Sequence, residues 1–234
     1  MNTPALTLEE RQHIDSGPWF SKLSLPLRQA ILARAVVRRL ADGAPLASRG
    51  APAEEWVGVA AGAVRVSTVS LSGKQVTLTY VEPGTWFGDI ALFDGLPRTH
   101  DADAHGETTL LAVRKADFKD LLAQHVELYD ALLHLNCRRL RLMFDQFEEL
   151  NTRPLRSRLA RQLLLLAKSY GMPQGEEIRI GLQLAQEDLA QLLGASRQRV
   201  NQELKGFERD GALRVEPTRL VVLSRDKLLD IAQR

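Results

Sequence analysis

The sequence is poor in the features that mark several classes of protein. Cys137 is the only cysteine among 234 residues, so we expect neither a disulfide framework nor a zinc or iron–sulfur site that needs several thiolates from one chain. We interpret Cys137 as a small apolar residue on a helix. The sequence has no run of eighteen apolar residues and no basic N-terminal segment followed by an apolar core. We therefore expect a cytoplasmic protein with no secretory signal and no membrane partner.

Catalytic motifs are missing as well. The sequence shows no nucleophile paired with a base, no cluster of residues at metal-ligand spacing and no phosphate-binding Walker loop. These absences argue against an enzyme and against a bound metal.

The charge of the chain is small but unevenly distributed. The net charge is +2; residues 1–150 carry 16 Lys and Arg against 19 Asp and Glu, whereas residues 151–234 carry 15 against 10. The basic C-terminal part is therefore the part that we expect to meet a polyanion.

The first half of the sequence predicts helices followed by a strand-rich region. Residues 7–40 have the apolar spacing of helices, interrupted by a turn at Gly17-Pro18. From Gly43 onward, short segments with alternating apolar residues are separated by glycines and prolines, which is typical of an antiparallel sandwich or small barrel. The expected strands are Trp56–Val59, Ala63–Val69, Gln75–Val81 and Leu110–Val113.

A long helix is expected over Val126–Leu150, after a short one over Ala116–Leu122. Apolar residues recur in it every seven positions, with one polar residue among them, as in a helix that pairs with a parallel copy of itself. The alternative is a helix that packs on its own domain, which also produces an apolar stripe. The residues of the expected seam are Leu133, Asn136, Leu140, Met143, Phe147 and Leu150.

Asn151-Thr152-Arg153-Pro154 marks a domain boundary and a hinge. Asn and Thr are favourable N-cap residues, and proline is tolerated in the first turn of a helix but not in its interior. The elements expected beyond it are a helix over Arg156–Tyr170, a strand over Glu177–Leu182, a hairpin of Leu213–Val215 with Arg219–Leu223, and a helix over Asp226–Ala232.

Between that strand and the hairpin, the sequence predicts a helix-turn-helix. The first helix is Gln186–Leu193, and Gly194-Ala195-Ser196 supplies a left-handed C-cap and the N-cap of the next helix. Val200, Leu204 and Phe207 form the buried stripe of the second helix. Its opposite face presents Arg197, Gln198, Arg199, Asn201, Gln202 and Lys205. With a β-hairpin after it, this pattern predicts a winged helix that enters the major groove of double-stranded DNA. The alternative is a surface helix pair whose polar residues only face solvent.

The chemistry of these side chains suggests their roles. The Ser196 hydroxyl and the first N–H groups of the second helix suit a phosphate. Arg197 suits O6 and N7 of guanine, and Gln198 and Gln202 suit adenine or a neighbouring base. We assign Lys205, and with it Gln186, to the DNA backbone.

A short cassette carries a family resemblance. Residues 87–93 read Phe-Gly-Asp-Ile-Ala-Leu-Phe, and Pro97-Arg98-Thr99 follows; such a glycine-led turn and guanidinium can hold a phosphodiester. With the strand-rich region, the long helix and the winged helix, the chain resembles the cyclic-AMP receptor/fumarate-nitrate regulator family. The resemblance implies an α+β fold: a double-stranded β-helix (a jelly roll that binds cyclic nucleotides) in residues 1–125, a dimerisation helix in 126–150 and a winged helix-turn-helix in 151–234. It also implies a homodimeric transcription regulator that binds an effector, palindromic double-stranded DNA and RNA polymerase.

The resemblance also implies an effector site. Gly88 and Asp89 match the residues that hold ribose and phosphate in the cyclic-AMP-binding members, and Arg98 and Thr99 match their phosphate ligands; Ile90 and Ala91 complete the cassette. Asp89 stands where those members have Glu, and Met143 and Phe144 stand where they carry the Thr-Ser pair that contacts adenine. These departures argue against cyclic AMP. Either the apolar pair covers a site for another nucleotide, or it fills the cavity.

Other departures narrow the expectations further. The family's Arg-Glu…Arg pattern in the DNA-reading helix is here Arg197, Gln198 and Gln202, which predicts a different operator. The cysteines of an iron–sulfur cluster are absent, and the available histidines, His100, His105, His125 and His134, are better explained as surface or capping residues than as haem ligands. Two alternatives stay open: a regulator that binds DNA without an effector, and a cyclic-nucleotide-binding subunit that regulates a partner enzyme.

Overall fold

The computed structural model describes residues 5–71 and 73–233, which form two compact units. The first unit comprises the chain up to Thr68 together with Leu78–Arg141. The second comprises Val69–Thr77 and the chain from Leu142 onward. The boundary between the two units thus falls inside the long helix.

The N-terminal part of the chain combines helices with one antiparallel sheet. Strand order is β1-β6-β3-β4, with β2 paired to β6 and β5 paired to β3, which confirms the expected antiparallel strands. The elements are α1 (Leu8–Ser16), a 3-10 turn (Phe20–Lys22), α2 (Leu25–Arg34), β1 (Val36–Leu40), β2 (Pro45–Ala47), β3 (Glu55–Val69), β4 (Gln75–Val81), β5 (Trp86–Phe87), α3 (Ile90–Asp94), β6 (Asp101–Arg114), α4 (Lys115–Gln124) and α5 (Glu127–Thr152).

The end of the predicted N-terminal helical region is wrong, because Val36–Leu40 is a strand. It pairs along its whole length with β6, from Val36 opposite Ala112 to Leu40 opposite Thr108. Arg39 anchors it by donating to Glu10 of α1 at 2.7 Å. This hydrogen bond is the main reason why the pKa of Glu10 is lowered to about 2. The backbone ladder and this ion pair, both non-local, override the local helical spacing.

The two strands expected at Trp56–Val59 and Ala63–Val69 are parts of the single long strand β3. Its register against β6 shifts on both sides of Ala61. Gly62 has φ +75°, and a Cβ placed on it would lie 2.3 Å from the carbonyl oxygen of Glu107. Only glycine fits this bulge, so here it bends a continuous strand instead of ending it.

The core of the first unit is an aromatic cluster between the N-terminal helices and the sheet. The rings of Trp56 and Trp86 lie 4.4 Å apart, Phe20 stacks on Trp86 at 5.6 Å, and Phe118 of α4 lies 5.2 Å from Trp56. All four side chains are almost fully buried. Because Trp86 directly precedes the cassette, its packing fixes the position where the cassette begins.

The C-terminal part is helical with a small four-stranded sheet of order β7-β8-β10-β9. Its elements are α6 (Leu155–Tyr170), β7 (Gly171–Gln174), β8 (Glu177–Ile180), α7 (Gln186–Leu193), α8 (Arg197–Arg209), β9 (Leu213–Glu216), β10 (Arg219–Val222) and α9 (Arg225–Gln233). The expected helices and hairpin are confirmed within a few residues. The pattern did not predict β7, which contains a proline and is mostly exposed, and which forms only through its pairing with β8.

The capping roles expected at the hinge are wrong. Asn151 and Thr152 belong to the last turn of α5, where their side chains bond back to the carbonyl groups of Phe147 and Glu148. The N-cap of α6 is Pro154, whose side chain makes no capping hydrogen bond. Ser, Thr and Asn side chains compete for nearby carbonyl groups, and here they terminate a helix rather than begin one.

A buried carboxylate joins the start of α3 to α5. The side chain of Asp89 is 0% exposed. Its Oδ1 accepts from Nη1 of Arg139 at 3.0 Å, and its Oδ2 accepts from Nδ2 of Asn136 at 2.8 Å. Arg139 also donates to the carbonyl oxygen of Trp86. A carboxylate removed from water is tolerated only when it is paired, so this link holds the cassette against α5.

We expect Arg139→Met to lower the free energy of unfolding by roughly 2–4 kcal/mol, because it leaves a buried carboxylate without its counter-charge. Asp89→Leu should cost less, since Arg139 is partly exposed and can turn to water. The double variant should recover much of the loss. Urea unfolding of the four proteins measures this; strictly additive losses would contradict the ion pair as the link.

Candidate functional site

The helix-turn-helix is built as its sequence predicts. Gly194 adopts φ +64° at the end of α7, and the hydroxyl of Ser196 accepts from the backbone N–H of Arg199 at 3.3 Å as the N-cap of α8. Val200, Leu204 and Phe207 are at most 1% exposed, which confirms the buried stripe. The turn and the apolar stripe therefore fix which face of α8 points outward.

The polar residues of α8 lie on that outward face. Arg197, Gln198 and Arg199 are exposed in its first turn, and Gln202 and Lys205 are exposed further along. The two remaining predicted residues contact each other: Nε2 of Gln186, the first residue of α7, donates to Oδ1 of Asn201 at 3.2 Å. This bond joins the two helices and leaves the Asn201 amide nitrogen available to a ligand.

Two arginines of α6 position the helix-turn-helix. Nη1 of Arg158 donates to the carbonyl oxygen of Leu193 at 3.1 Å, at the end of α7. Arg156 donates to Glu203 at 3.1 Å and to Asp210 at 2.5 Å, both on or beside α8. Neither arginine is predicted as a functional residue from the sequence. Their spacing on α6 carries no signal, because their partners lie 35 to 54 residues away.

Arg156 also affects the surface of α8. Its guanidinium lies 4.7 Å from the centre of the Phe207 ring, and a Cβ on Gly206 would come within 2.6 Å of its Nη1. A side chain at position 206 would thus push the Arg156 guanidinium out of this position, which the glycine leaves open. The ion pair neutralises Glu203, the first carboxylate of α8, which would otherwise repel phosphate.

In the cassette, the structure brings Gly88 and Arg98 together. Gly88 has φ +92°, and a Cβ on it would lie 3.5 Å from Nη1 of Arg98. Nη2 of Arg98 donates to the carbonyl oxygen of Glu55 at 3.2 Å. Burial lowers the pKa of Arg98, against the opposing effect of Glu55 and Glu54, yet guanidinium stays charged in proteins. A half-buried cation beside a glycine can receive an anion at close range.

The other predicted effector residues are placed less uniformly. Both carboxylate oxygens of Asp89 are directed at α5, as described above. Ile90 is exposed and Ala91 is nearly buried, while the exposed Thr99 bonds through its hydroxyl to Nδ1 of His100 at 2.7 Å. Met143 and Phe144 belong to the second unit, and each is more than 60% exposed.

Helix α5 carries a continuous exposed apolar stripe. Five of the six predicted seam residues are at least half exposed: Leu133, Leu140, Met143, Phe147 and Leu150. The sixth, Asn136, was expected to face a second helix, but its amide donates to Asp89 of the same chain. Asn136 therefore has an intramolecular partner that the heptad pattern did not reveal.

Within residues 5–71 and 73–233, no group of three His, Cys, Asp or Glu side chains is placed to hold a metal ion. In the same described part of the chain, none of the helices has both the length and the apolar character that crossing a membrane requires.

Comparison with protein-family models identifies both parts of the chain. Residues 37–125 match the cyclic nucleotide-binding domain, and residues 157–231 match the Crp-like helix-turn-helix domain. The two matches contain the cassette and the helix-turn-helix, respectively.

Curated relatives and solved structures agree with these matches. The chain is 30% identical to the CRP-like cAMP-activated global transcriptional regulator of Mycobacterium tuberculosis, over 77% of this chain and 81% of that protein. It is 31% identical to the cyclic AMP receptor protein of Thermus thermophilus, over 82% and 85%. A CRP-family transcriptional regulator of T. thermophilus aligns with a TM-score of 0.72 at 25% identity, over 84% of this chain and 97% of that one.

This chain thus carries a cyclic nucleotide-binding domain, a long helix and a C-terminal helix-turn-helix domain, in that order. The chain therefore belongs to the cyclic AMP receptor/fumarate-nitrate regulator (CRP/FNR) family of DNA-binding transcription regulators.

Proposed function

We propose that this protein is a homodimer that reads a palindromic site in double-stranded DNA and responds to a small anionic effector bound at the cassette. The observation that carries the DNA-reading part is the outward face of α8, where cations and amides are exposed over two turns and the first carboxylate is neutralised by Arg156. As a transcription regulator it would act in the cytoplasm, where the chromosome lies, and together with RNA polymerase.

The exposed residues of α8 divide by reach into base readers and backbone anchors. Arg197 lies at the N-terminal end, which enters the groove first, and its planar guanidinium suits O6 and N7 of guanine. Gln198 and Gln202 follow on the same face and suit adenine or a neighbouring base. The Ser196 hydroxyl, Arg199 and Lys205 suit phosphates. We assign the Gln186–Asn201 pair to the DNA backbone as well.

The exposed stripe of α5 supports the dimer. Leu133, Leu140 and Phe147 lie seven residues apart, and their exposed apolar surface is unusual for a helix in water. Burying it against the same stripe of a second chain would bring two copies of α8 onto two half-sites about one helical turn apart. The Asn136 amide then serves the cassette rather than the register of the helix pair.

Arg98 supports an anionic effector. In the described part of the chain, no ion pair engages its half-buried guanidinium, and Gly88 leaves space beside it. The M. tuberculosis and T. thermophilus relatives are named for cyclic AMP. Here the carboxylate of Asp89 is occupied by Arg139 and Asn136. Met143 and Phe144 stand where the cyclic-AMP-binding members contact adenine, so we propose a cyclic nucleotide other than cyclic AMP.

One observation favours a second candidate function, a regulator that needs no effector. The Asp89–Arg139 ion pair already holds the cassette against α5. If this ion pair is sufficient to hold the protein in the form that binds DNA, no ligand is needed for that form. The protein then binds DNA at all times.

Arg197→Ala should weaken binding to the preferred duplex by roughly 1–3 kcal/mol and relax base preference at one position of each half-site. Lys205→Ala should weaken all sequences about equally and reduce the slope of log affinity against log salt by about 1. Arg209→Ala, an exposed arginine at the far end of α8, serves as the control. Selection from a random duplex pool, followed by fluorescence anisotropy, measures all three; uniform weakening by Arg197→Ala would exclude base reading.

Leu140→Glu should raise the dimer dissociation constant by roughly a hundredfold or more, because two carboxylates would enter the seam. Glu148→Lys, an exposed charge reversal away from the seam, should leave it unchanged. Sedimentation velocity over a dilution series distinguishes the two results. A dimer that survives Leu140→Glu would place the interface elsewhere.

Calorimetric titration with cyclic AMP, cyclic GMP and cyclic di-GMP tests the effector. We expect one of the two guanine nucleotides to bind, and Arg98→Gln to weaken it by roughly tenfold or more through loss of a charge-assisted contact. Lys119→Gln on α4 is the control. If none binds and Arg98→Gln leaves DNA affinity unchanged, the effector-independent regulator is the correct function.

A further inference from the structure

An open groove of about 570 Å³ lies in the first unit between the 3-10 turn and α5. This volume is in the range of small-molecule sites. The groove is lined by Trp19, Lys22, Leu23, Asp130, Ala131, His134, Cys137, Arg138 and Arg141. It is separate from the cassette and from the helix-turn-helix, since none of these residues belongs to either.

The floor of the groove is apolar and fixed in position. Trp19 and Leu23 are at most 9% exposed, and the indole Nε1 of Trp19 donates to the carbonyl oxygen of Ala131 at 2.9 Å. This hydrogen bond connects the two walls, one from the N-terminal segment and one from α5. The floor is therefore apolar and rigid, and only a small part of these two side chains is accessible to a ligand.

The rim of the groove is cationic. Lys22, Arg138 and Arg141 are exposed, and in the part of the chain that the structure describes none of the three forms an ion pair. The one carboxylate of the groove, Asp130, lies 3.6 Å from Nε2 of His134. Three cations against one carboxylate leave the rim with a positive charge, and the ammonium and guanidinium groups still have their donors to offer.

The arginines of the groove stay accessible when α5 pairs with a second copy. At roughly 100° per residue, Arg138 lies on the opposite side of the helix from Leu140 and Phe147, and Arg141 lies roughly 100–120° from them, whereas Cys137 borders the apolar stripe, three residues before Leu140. A partner chain on the apolar stripe therefore leaves the side chains of Arg138 and Arg141 uncovered.

We propose that this groove is a second ligand site, which binds a small organic anion with a flat apolar body. The body lies on the floor formed by Trp19, Leu23 and Ala131. Its carboxylate, phosphate or sulfonate group is held by Arg138 and Arg141 from α5 and by Lys22 from the opposite wall. The shared requirement is an aromatic or similarly flat anion, since the floor is apolar and the three cations of the rim outnumber its one carboxylate, Asp130.

The test uses the full-length protein and 8-anilino-1-naphthalenesulfonate, a flat aromatic sulfonate whose fluorescence rises on binding. We expect saturable binding with one groove site per chain. Arg138→Glu and Lys22→Glu, on opposite walls, should each weaken it by roughly tenfold. Lys119→Glu on α4, an equal charge change elsewhere, and Arg98→Gln in the cassette should leave it unchanged.

Cys137 supplies a second readout, because it is the only cysteine and it is exposed in the groove. The reaction rate of Cys137 is compared with that of a free thiol for each of two reagents. The rate ratio should be higher for the dianionic aromatic disulfide 5,5′-dithiobis(2-nitrobenzoate) than for the neutral 2,2′-dithiodipyridine. Arg138→Glu should remove most of that advantage, and the sulfonate probe should protect Cys137 from both reagents. The neutral reagent controls for changes in the sulfur itself.

Each result decides the proposal. Saturable binding, protection of Cys137 and loss of both in Arg138→Glu and Lys22→Glu support it. Absence of binding overturns it. Binding that leaves Cys137 unprotected, or that the two charge reversals do not weaken, also overturns it and would assign the probe to the apolar stripe of α5. Sensitivity to Arg98→Gln alone would assign it to the cassette.

Discussion

The Asp89 carboxylate is buried and must be satisfied from within the chain, and α5 supplies what it needs. Arg139 contributes the opposite charge and Asn136 a neutral donor, so both carboxylate oxygens are bonded without water. Removing either partner would leave an uncompensated polar group in the interior, which is far more costly than forming no pair at all. The position of the cassette therefore depends on α5 as much as on the sheet from which the cassette extends.

Helix α5 has three distinct faces along its N-terminal half. One face packs Leu128 and Leu132 into the aromatic core and carries Arg139 to the cassette. A second face exposes Leu133 and Leu140, which suits a copy of the same helix. A third face forms a wall of the cationic groove. A change that shifts α5 along its axis would act on all three at once, because one rigid element carries them.

A similar arrangement holds the DNA-reading helix. Arg158 of α6 bonds to the end of α7 through one Nη atom, and Arg156 bonds to Glu203 and Asp210 through both of its Nη atoms, a forked arrangement that lysine cannot reproduce. The same ion pair that positions α8 also cancels the charge of Glu203. Geometry and electrostatics are thus set together, before DNA is bound.

The sequence by itself determined the elements whose signals are local. The cap, turn and stripe of residues 186–207 and the heptads of α5 follow from helical periodicity, and Gly88 with Arg98 follows from the cassette pattern. Tertiary structure alone decided that Val36–Leu40 is a strand, that Gly62 bends β3, and that Asp89 binds α5. Those outcomes depend on partners distant in the chain, β6, the Glu107 carbonyl and Arg139, whose contributions outweigh local propensity only once the chain is folded.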